Sequence, residues 1–88
     1  MNDVQGPQRS RDEEHLPTLQ QVRRDHGLTS RAVAEAAGVE LRIEYLMEIG
    51  GAVSRSDAQR VLQALSYLTH TRYTEHDLSG LCIRDPPS

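Results

Sequence analysis

The chain has 88 residues, a formal net charge of −3 at neutral pH and 36% hydrophobic residues. This length allows one small domain, and a core without Phe or Trp has to be built from Leu, Val, Ile and Ala. A catalytic cleft has little material to form from, so we predict that the protein is not an enzyme. All ten basic residues are Arg, against thirteen acidic residues. This balance counts against nucleic acid as a partner without excluding it, because the placement of charge matters more than its sum.

The single cysteine and the short apolar runs limit the chemistry and the location of the chain. Cys82 alone allows no internal disulfide and no thiolate-rich zinc site, and the consecutive Glu75, His76 and Asp77 would point in different directions from a helix. No apolar run reaches the about 20 residues that span a bilayer, and residues 1–11 lack the apolar stretch of a signal peptide. We predict a cytoplasmic protein with no metal, no cofactor and no membrane partner.

Both ends of the chain are predicted to be disordered. Residues 1–15 form an N-terminal arm whose only apolar side chain after the initiator is Val4, too little to offset the entropy of ordering. Residues 82–88 end in Arg-Asp-Pro-Pro-Ser, which cannot continue a helix and is predicted to be a tail. The folded domain is then expected over residues 16–81.

The first two predicted helices are marked by capping residues. Thr18 opens the first helix, which stops at Gly27, a residue suited to the left-handed cap position. Thr29 caps the second helix, residues 30–37, and Gly38 closes it. The alanine-rich sequence of this second helix favours close packing against a neighbour.

Two further helices and a last turn follow. The third helix is predicted from about Glu40 to Ile49, before Gly50, and the fourth begins at Ser54 or Ser56, with Ser54 and Asp57 spaced as a capping box. Its apolar residues have the three-and-four spacing of one buried face: Ala58, Val61, Leu62, Leu65 and Leu68. Thr74 and Asp77 have the same capping spacing, ahead of a short turn with Leu78 and Leu81. No segment alternates long enough for a strand, so the predicted fold class is all-α.

Residues 29–39 contain the pattern that predicts a function. Ala34 is small enough for two helices to approach closely, Gly38 follows four positions later in the turn, and Val39 fills the angle between the helices. In these residues the chain resembles the helix-turn-helix of the Cro and phage-repressor family, also called the XRE family.

The resemblance extends from about Leu16 to Leu81. Residues 19–29 look like the family's first helix and its link to the second, and residues 48–50 look like the Glu-x-Gly that closes its recognition helix. Residues 61–65, followed by residues 73–74 and 77–78, are similar to its last two helices. The resemblance implies a compact lambda-repressor-like domain of four to five helices. It also implies a sequence-specific DNA-binding transcriptional regulator, with double-stranded DNA as partner and a homodimer as an expected assembly, because relatives often pair on two half-sites.

The same resemblance implies which residues bind DNA. The third helix would enter the major groove with its N-terminal residues at the base edges. The residues expected to face bases are Glu40, Leu41, Arg42 and Tyr45. Ser30 and Arg31, at the start of the second helix, are expected to hold phosphates.

The third helix departs from the family pattern at Glu44, where an apolar residue normally pins the helix to the core. Projected at 3.6 residues per turn, Val39, Ile43 and Leu46 fall on the buried side. Glu40, Glu44 and Glu48 fall together on the exposed side that would face DNA. Such a row is unfavourable beside phosphates unless arginines offset it, so the projection weakens the expectation of DNA binding.

Two alternatives remain open. One is a protein-protein interaction module that uses the third helix, with Leu41 and Tyr45 among the Glu residues suited to a basic partner. The other is the mercury-resistance-regulator family, which residues 33–39 also resemble. That family needs a basic β-wing after the third helix, for which residues 50–55 are too few.

Overall fold

Four helices and two short strands make up residues 16–85, the part of the chain that the computed structural model describes. The helices are α1 (Leu19–Asp25), α2 (Ser30–Ala37), α3 (Leu41–Ile49) and α4 (Arg55–Thr69); the strands are β1 (Ala52–Ser54) and β2 (Cys82–Arg84), and a single 3₁₀ turn spans Glu75–Asp77. The predicted N-terminal arm and the last three residues of the predicted tail lie outside the described residues.

The helices begin at the capping residues that the sequence indicates. Thr18 Oγ1 accepts a hydrogen bond from the backbone N–H of Gln21, whose side chain in turn accepts from the Thr18 N–H, so α1 has a reciprocal capping box. Thr29 caps α2 through its side chain, and Ser54 caps α4 in the same way. The predicted starts of these three helices are therefore confirmed.

Two helices end at glycines in the left-handed conformation. Gly38 ends α2 with φ of 73°, and Gly50 ends α3 with φ of 82°. A side chain at such φ values carries a steric cost that glycine does not. Between α2 and α3 the chain turns on Gly38, and the Val39 N–H donates to the Ala34 carbonyl oxygen at 3.1 Å. The turn that the sequence predicts at Gly38 is confirmed.

The core lies between α4 and the first three helices, and α4 packs most extensively against α2. Ala34 of α2 is buried, as the predicted close approach requires. The core is aliphatic and contains one methionine: Leu19, Val22, Val33, Met47, Val53, Ala58, Val61, Leu62, Leu65 and Leu78.

The strands correct the all-α prediction. β1 and β2 pair in parallel with Ala52 opposite Cys82 and Ser54 opposite Arg84, and α4 lies on the connection between them. Each strand has three residues, too few to show a period of two, and its partner is distant in sequence. β2 also falls within the predicted C-terminal tail, so residues 82–84 belong to the folded body. The last turn is shorter than predicted and ends before Leu78, which is extended and buried.

Side-chain and backbone contacts fasten both ends of the described chain. Thr18 forms a parallel bridge with Ser79, whose N–H donates to the Pro17 carbonyl oxygen at 2.9 Å. Arg55, at the start of α4, binds the Glu75 carboxylate at 2.7 Å through Nη1 and the Asp85 carboxylate through Nε. We call these three residues the Arg55 cluster.

No helix within residues 16–85 combines the length and the apolar composition that crossing a membrane would require.

Candidate functional site

The solvent-exposed side of α3 is a narrow stripe. Arg42, Tyr45 and Ile49 are spaced by three and four residues and therefore lie along one face of the helix. Tyr45 is 51% exposed and Ile49 is 78% exposed, an unusual pair of large apolar side chains facing solvent. Glu40 precedes the helix and accepts a hydrogen bond from Arg42 at 3.2 Å, with both side chains largely exposed. From its N-terminal to its C-terminal end, this side of α3 therefore shows the Glu40–Arg42 ion pair and then the apolar surface of Tyr45 and Ile49.

A groove runs beside this stripe, between α1, the start of α2 and α3. Arg24 and Arg31 are its exposed basic residues, and Leu41, Tyr45 and Ile49 form its α3 wall. The structure therefore brings four of the six predicted DNA-contacting residues to this groove: Ser30, Arg31, Leu41 and Tyr45. Glu40 and Arg42 lie at the N-terminal end of the same helix.

Ser30 has its hydroxyl engaged with a neighbouring residue. Its side chain is buried, and its hydroxyl donates to Glu48 Oε2 at 3.0 Å. The contact of Ser30 with a phosphate stays a prediction.

The predicted row of exposed carboxylates does not exist. Glu44 is 0% exposed, and the Glu48 side chain keeps only 3% of its surface in solvent, which leaves Glu40 as the exposed member. The buried face of α3 is centred on Glu44 and Met47, with Ile43 and Leu46 half-buried. The projection failed because it assigned every carboxylate to water. The family spacing, which marks position 44 as a core position, indicates its burial.

Glu48 is buried because Arg23 accompanies it. The Arg23 guanidinium binds Glu48 through two parallel hydrogen bonds, Nε to Oε2 at 2.8 Å and Nη2 to Oε1 at 3.1 Å, and its Nη1 donates to the Leu28 carbonyl oxygen at 3.0 Å. Ser30 supplies a further donor to Glu48. We call Arg23, Ser30 and Glu48 the Arg23 cluster. It joins α1, α2 and α3, and no local pattern in the sequence predicts a pair 25 positions apart.

Glu44 lies next to this cluster and receives none of the hydrogen bonds that its donors make. Neither of its carboxyl oxygens has a hydrogen-bond partner among the described residues. Burial, together with the nearby Glu48 carboxylate, raises the pKa of Glu44 to about 8. Burial also acts to raise the pKa of Glu48, but the neighbouring Glu44, Arg23 and Ser30 more than offset it and hold that pKa below its usual value. At neutral pH Glu48 is therefore ionised and Glu44 protonated.

Within residues 16–85, no group of three His, Cys, Asp or Glu side chains is placed to hold a metal ion.

Comparison of the chain with models of protein families, with curated proteins and with solved structures gives no match in any of the three.

Proposed function

We propose that α2, the turn at Gly38 and α3 form a helix-turn-helix of the Cro and phage-repressor type, and that the protein is a sequence-specific DNA-binding transcriptional regulator. The burial of Glu44 and Glu48 is the observation that supports this most directly. Three exposed carboxylates would repel phosphates, whereas the exposed face of α3 carries one, Glu40, already paired with Arg42.

The local geometry also suits this function. The turn has the left-handed Gly38 that a tight helix-helix connection favours, and Ala34 is buried at the approach of the helices. Arg31 lies in the first turn of α2, and Arg42 in the first turn of α3. In such a motif the N-terminal part of the second helix reaches base edges, while neighbouring basic residues hold the backbone.

Each residue has a role in this proposal. Arg24 and Arg31 bind phosphates on either side of the groove, and Arg42 leaves Glu40 to contact a base edge or a phosphate. Leu41 and Tyr45 offer apolar surface to thymine methyl groups, which project into the major groove. With three arginines available, log Kd should rise with log salt concentration with a shallow slope of about 2 to 3.

A titration of labelled duplex DNA, followed by fluorescence anisotropy at about 50 mM and about 200 mM salt, tests the proposal. Arg31→Ala should weaken binding for all sequences and lower the salt slope by about 1. Arg72→Ala is the matched control, because Arg72 is exposed and lines a separate groove beside α4. The proposal fails if the unmodified protein does not bind DNA at the lower salt, or if Arg31→Ala and Arg72→Ala weaken binding equally.

A second pair of variants tests the observation on which the proposal depends. Glu40→Gln removes the exposed carboxylate of α3 and should tighten non-specific DNA binding. Glu44→Gln replaces a buried, protonated carboxyl and should leave DNA affinity unchanged at neutral pH. Equal gains from both variants would show that Glu44 faces the DNA after all.

The exposed pair Tyr45 and Ile49 favours a second candidate, a protein-protein interaction module. Apolar side chains exposed together are typical of surfaces that another molecule covers. Because Glu44 and Glu48 are buried, this surface carries no row of carboxylates to attract a basic partner. Arg24 and Arg31 beside this surface suit an acidic partner or, for a homodimer, an acidic patch of a second copy.

Ile49→Ser separates the two candidates. Ile49 is at the C-terminal end of α3, so its replacement should have little effect on DNA affinity if the N-terminal end reads the bases. Loss of self-association in sedimentation experiments on Ile49→Ser, with the affinity for a single half-site retained, would assign the apolar pair to a dimer contact. A protein that does not bind DNA but loses a partner on this substitution would support the interaction module.

A further inference from the structure

The Glu44 carboxyl is the most unusual buried group of the described chain. It is completely shielded from solvent at a position of α3 where the core would accept an aliphatic side chain, and both of its oxygens are without hydrogen-bond partners. A buried polar group in this state destabilises a fold, and a buried unpaired charge does so far more. The structure therefore tolerates Glu44 only while it carries a proton.

The surroundings offer no second positive charge to an ionised Glu44. From α1, Arg23 faces it, but the hydrogen bonds that Arg23 makes go to Glu48 and to the Leu28 carbonyl oxygen. From α2, Ser30 faces it, with its hydroxyl committed to Glu48. From α3 itself, Glu48 faces it and is already ionised. One guanidinium would then have to serve two buried carboxylates.

The remaining elements contribute no titratable group to this region of the core. The buried residues of α4 are apolar except Thr69, whose hydroxyl donates to the Leu65 carbonyl oxygen at 2.8 Å. The buried residue of β1 is Val53. Ionisation of Glu44 can therefore be relieved only by moving α3, or by breaking the Arg23–Glu48 pair.

We propose that Glu44 is a proton-dependent lock on α3. The protonated carboxyl lets α3 pack against α1 and α2, whereas the ionised carboxylate weakens this packing. The fold therefore loses stability as the pH rises. This proposal concerns the folded state itself and does not depend on DNA binding. It predicts that any surface formed by α3 becomes less stable as Glu44 loses its proton.

The direction of the effect follows from proton binding in the two states. An unfolded chain releases the Glu44 proton at its ordinary pKa of about 4.3, whereas burial raises the pKa in the folded protein to about 8. Between these values the folded state holds more protons than the unfolded state. The stability of the fold therefore falls as the pH rises from about 4.3 to about 8, and it levels off above that.

Thermal unfolding of the unmodified protein and of Glu44→Gln, measured from about pH 5.5 to about pH 9, tests the lock. Both proteins contain the same His, Cys and Tyr residues, so the titration of those groups cancels in the comparison. The melting temperature of the unmodified protein should fall with pH by at least about 5 °C more than that of Glu44→Gln, since 1 kcal/mol is worth about 4–8 °C in a domain of this size. Parallel melting curves would overturn the proposal.

A direct titration of Glu44 in the unmodified protein tests the proposal without requiring that a variant fold. The carboxyl carbon of Glu44, observed by NMR in the unmodified protein labelled at its glutamates, should titrate with a midpoint of about pH 8. The reference is the ordinary glutamate pKa of about 4.3. A Glu44 midpoint close to that ordinary value would show that the carboxyl is not locked in its protonated form, and would overturn the proposal even if Glu44→Gln failed to fold.

Discussion

Arg23 and Arg55 each lie close to two carboxyl groups, but only Arg55 forms hydrogen bonds with both. Arg55 is accessible to solvent and binds both Glu75 and Asp85. Arg23 is mostly buried, with 13% of its side chain exposed, and commits two N–H groups to one carboxylate, Glu48. The second carboxyl beside Arg23, that of Glu44, receives no hydrogen bond.

The difference shows how burial decides the protonation of a carboxyl. At Arg55, both carboxylates are hydrated and can share one guanidinium, and the Arg55 hydrogen bonds hold the pKa of Asp85 below its usual value. At Arg23, only the carboxylate with both parallel hydrogen bonds can keep its charge. In the buried region, the Arg23–Glu48 pair therefore stabilises the fold strongly, whereas the Glu44 carboxyl beside it destabilises the fold. The exposed cluster has a weak, salt-sensitive effect.

The largest effect is expected when the buried pair is broken. Arg23→Met leaves the Glu48 carboxylate without its cation inside the protein. The free energy of unfolding should fall by about 3 kcal/mol, the lower end of the range for a broken buried pair, because Arg23 keeps some contact with solvent. Urea denaturation at neutral pH measures this loss. A loss below about 1 kcal/mol, the range of surface ion pairs, would mean that the two clusters do not differ as described.

A gain in stability is expected when Glu44, the carboxyl outside the Arg23 cluster, is replaced by an apolar residue. Glu44→Met keeps an unbranched side chain of similar length and removes two buried oxygens that have no hydrogen-bond partner. The free energy of unfolding should rise by about 1–3 kcal/mol at neutral pH, and by more at about pH 8.5, where the unmodified protein carries the charge. Destabilisation by this variant in urea denaturation would indicate that Glu44 has a partner that its packing conceals.

A smaller loss is expected at the exposed cluster. Arg55→Ala removes the link from α4 to the 3₁₀ turn and to the end of β2, but leaves Glu75 and Asp85 free to be hydrated. Its melting temperature should fall less than that of Arg23→Met, and the difference from the unmodified protein should vanish in about 1 M salt, where the Debye length is about 3 Å. A loss that persists at high salt would point to packing by the Arg55 stem instead of charge.

The smallest change in melting temperature is expected for a substitution at Asp85, and only in acidic solution. Because its pKa is lowered in the folded state, Asp85 stabilises the fold above its unfolded pKa of about 3.9 and loses this contribution as the pH falls through the folded value. Asp85→Asn should therefore reduce the acid-side loss of melting temperature slightly and leave the alkaline side unchanged. Since Glu44 acts in the opposite direction, the unmodified protein should be most stable on the mildly acidic side of neutrality. A maximum at about pH 8 or above would contradict the assignment of Glu44, and an unchanged acid-side loss in Asp85→Asn would contradict that of Asp85.

Local chemistry explains which parts of this fold were predictable. Thr18, Thr29 and Ser54 act within three residues of themselves, and Gly38 and Gly50 act at their own φ angles, so the helix boundaries could be predicted from the sequence. The strands could not, because three residues carry no periodicity and their pairing is decided by the packing of α4 between them.

The candidate site was predictable only where local sequence decides the position of a residue. Arg31, Leu41 and Tyr45 follow from the position of the turn, and the structure places them together. The burial of Glu48 depends on Arg23, a distant partner that no spacing along α3 indicates. Glu44 shows that a helical projection based on polarity fails where the fold accepts a protonated acid.

The contact between Ser79 and residues 16–17 bears on the order of folding. Ser79 Oγ donates to the Leu16 carbonyl oxygen across 63 positions, whereas α2 and α3 are neighbours along the chain. Contacts between nearby segments need only short loops to close, and each doubling of loop length costs about 0.6 kcal/mol more. We therefore expect the pairing of Ser79 with residues 16–17 to be the last step in folding and the first contact to open. The earliest excursion from the native state would then free the Ser79 segment while the four helices stay together.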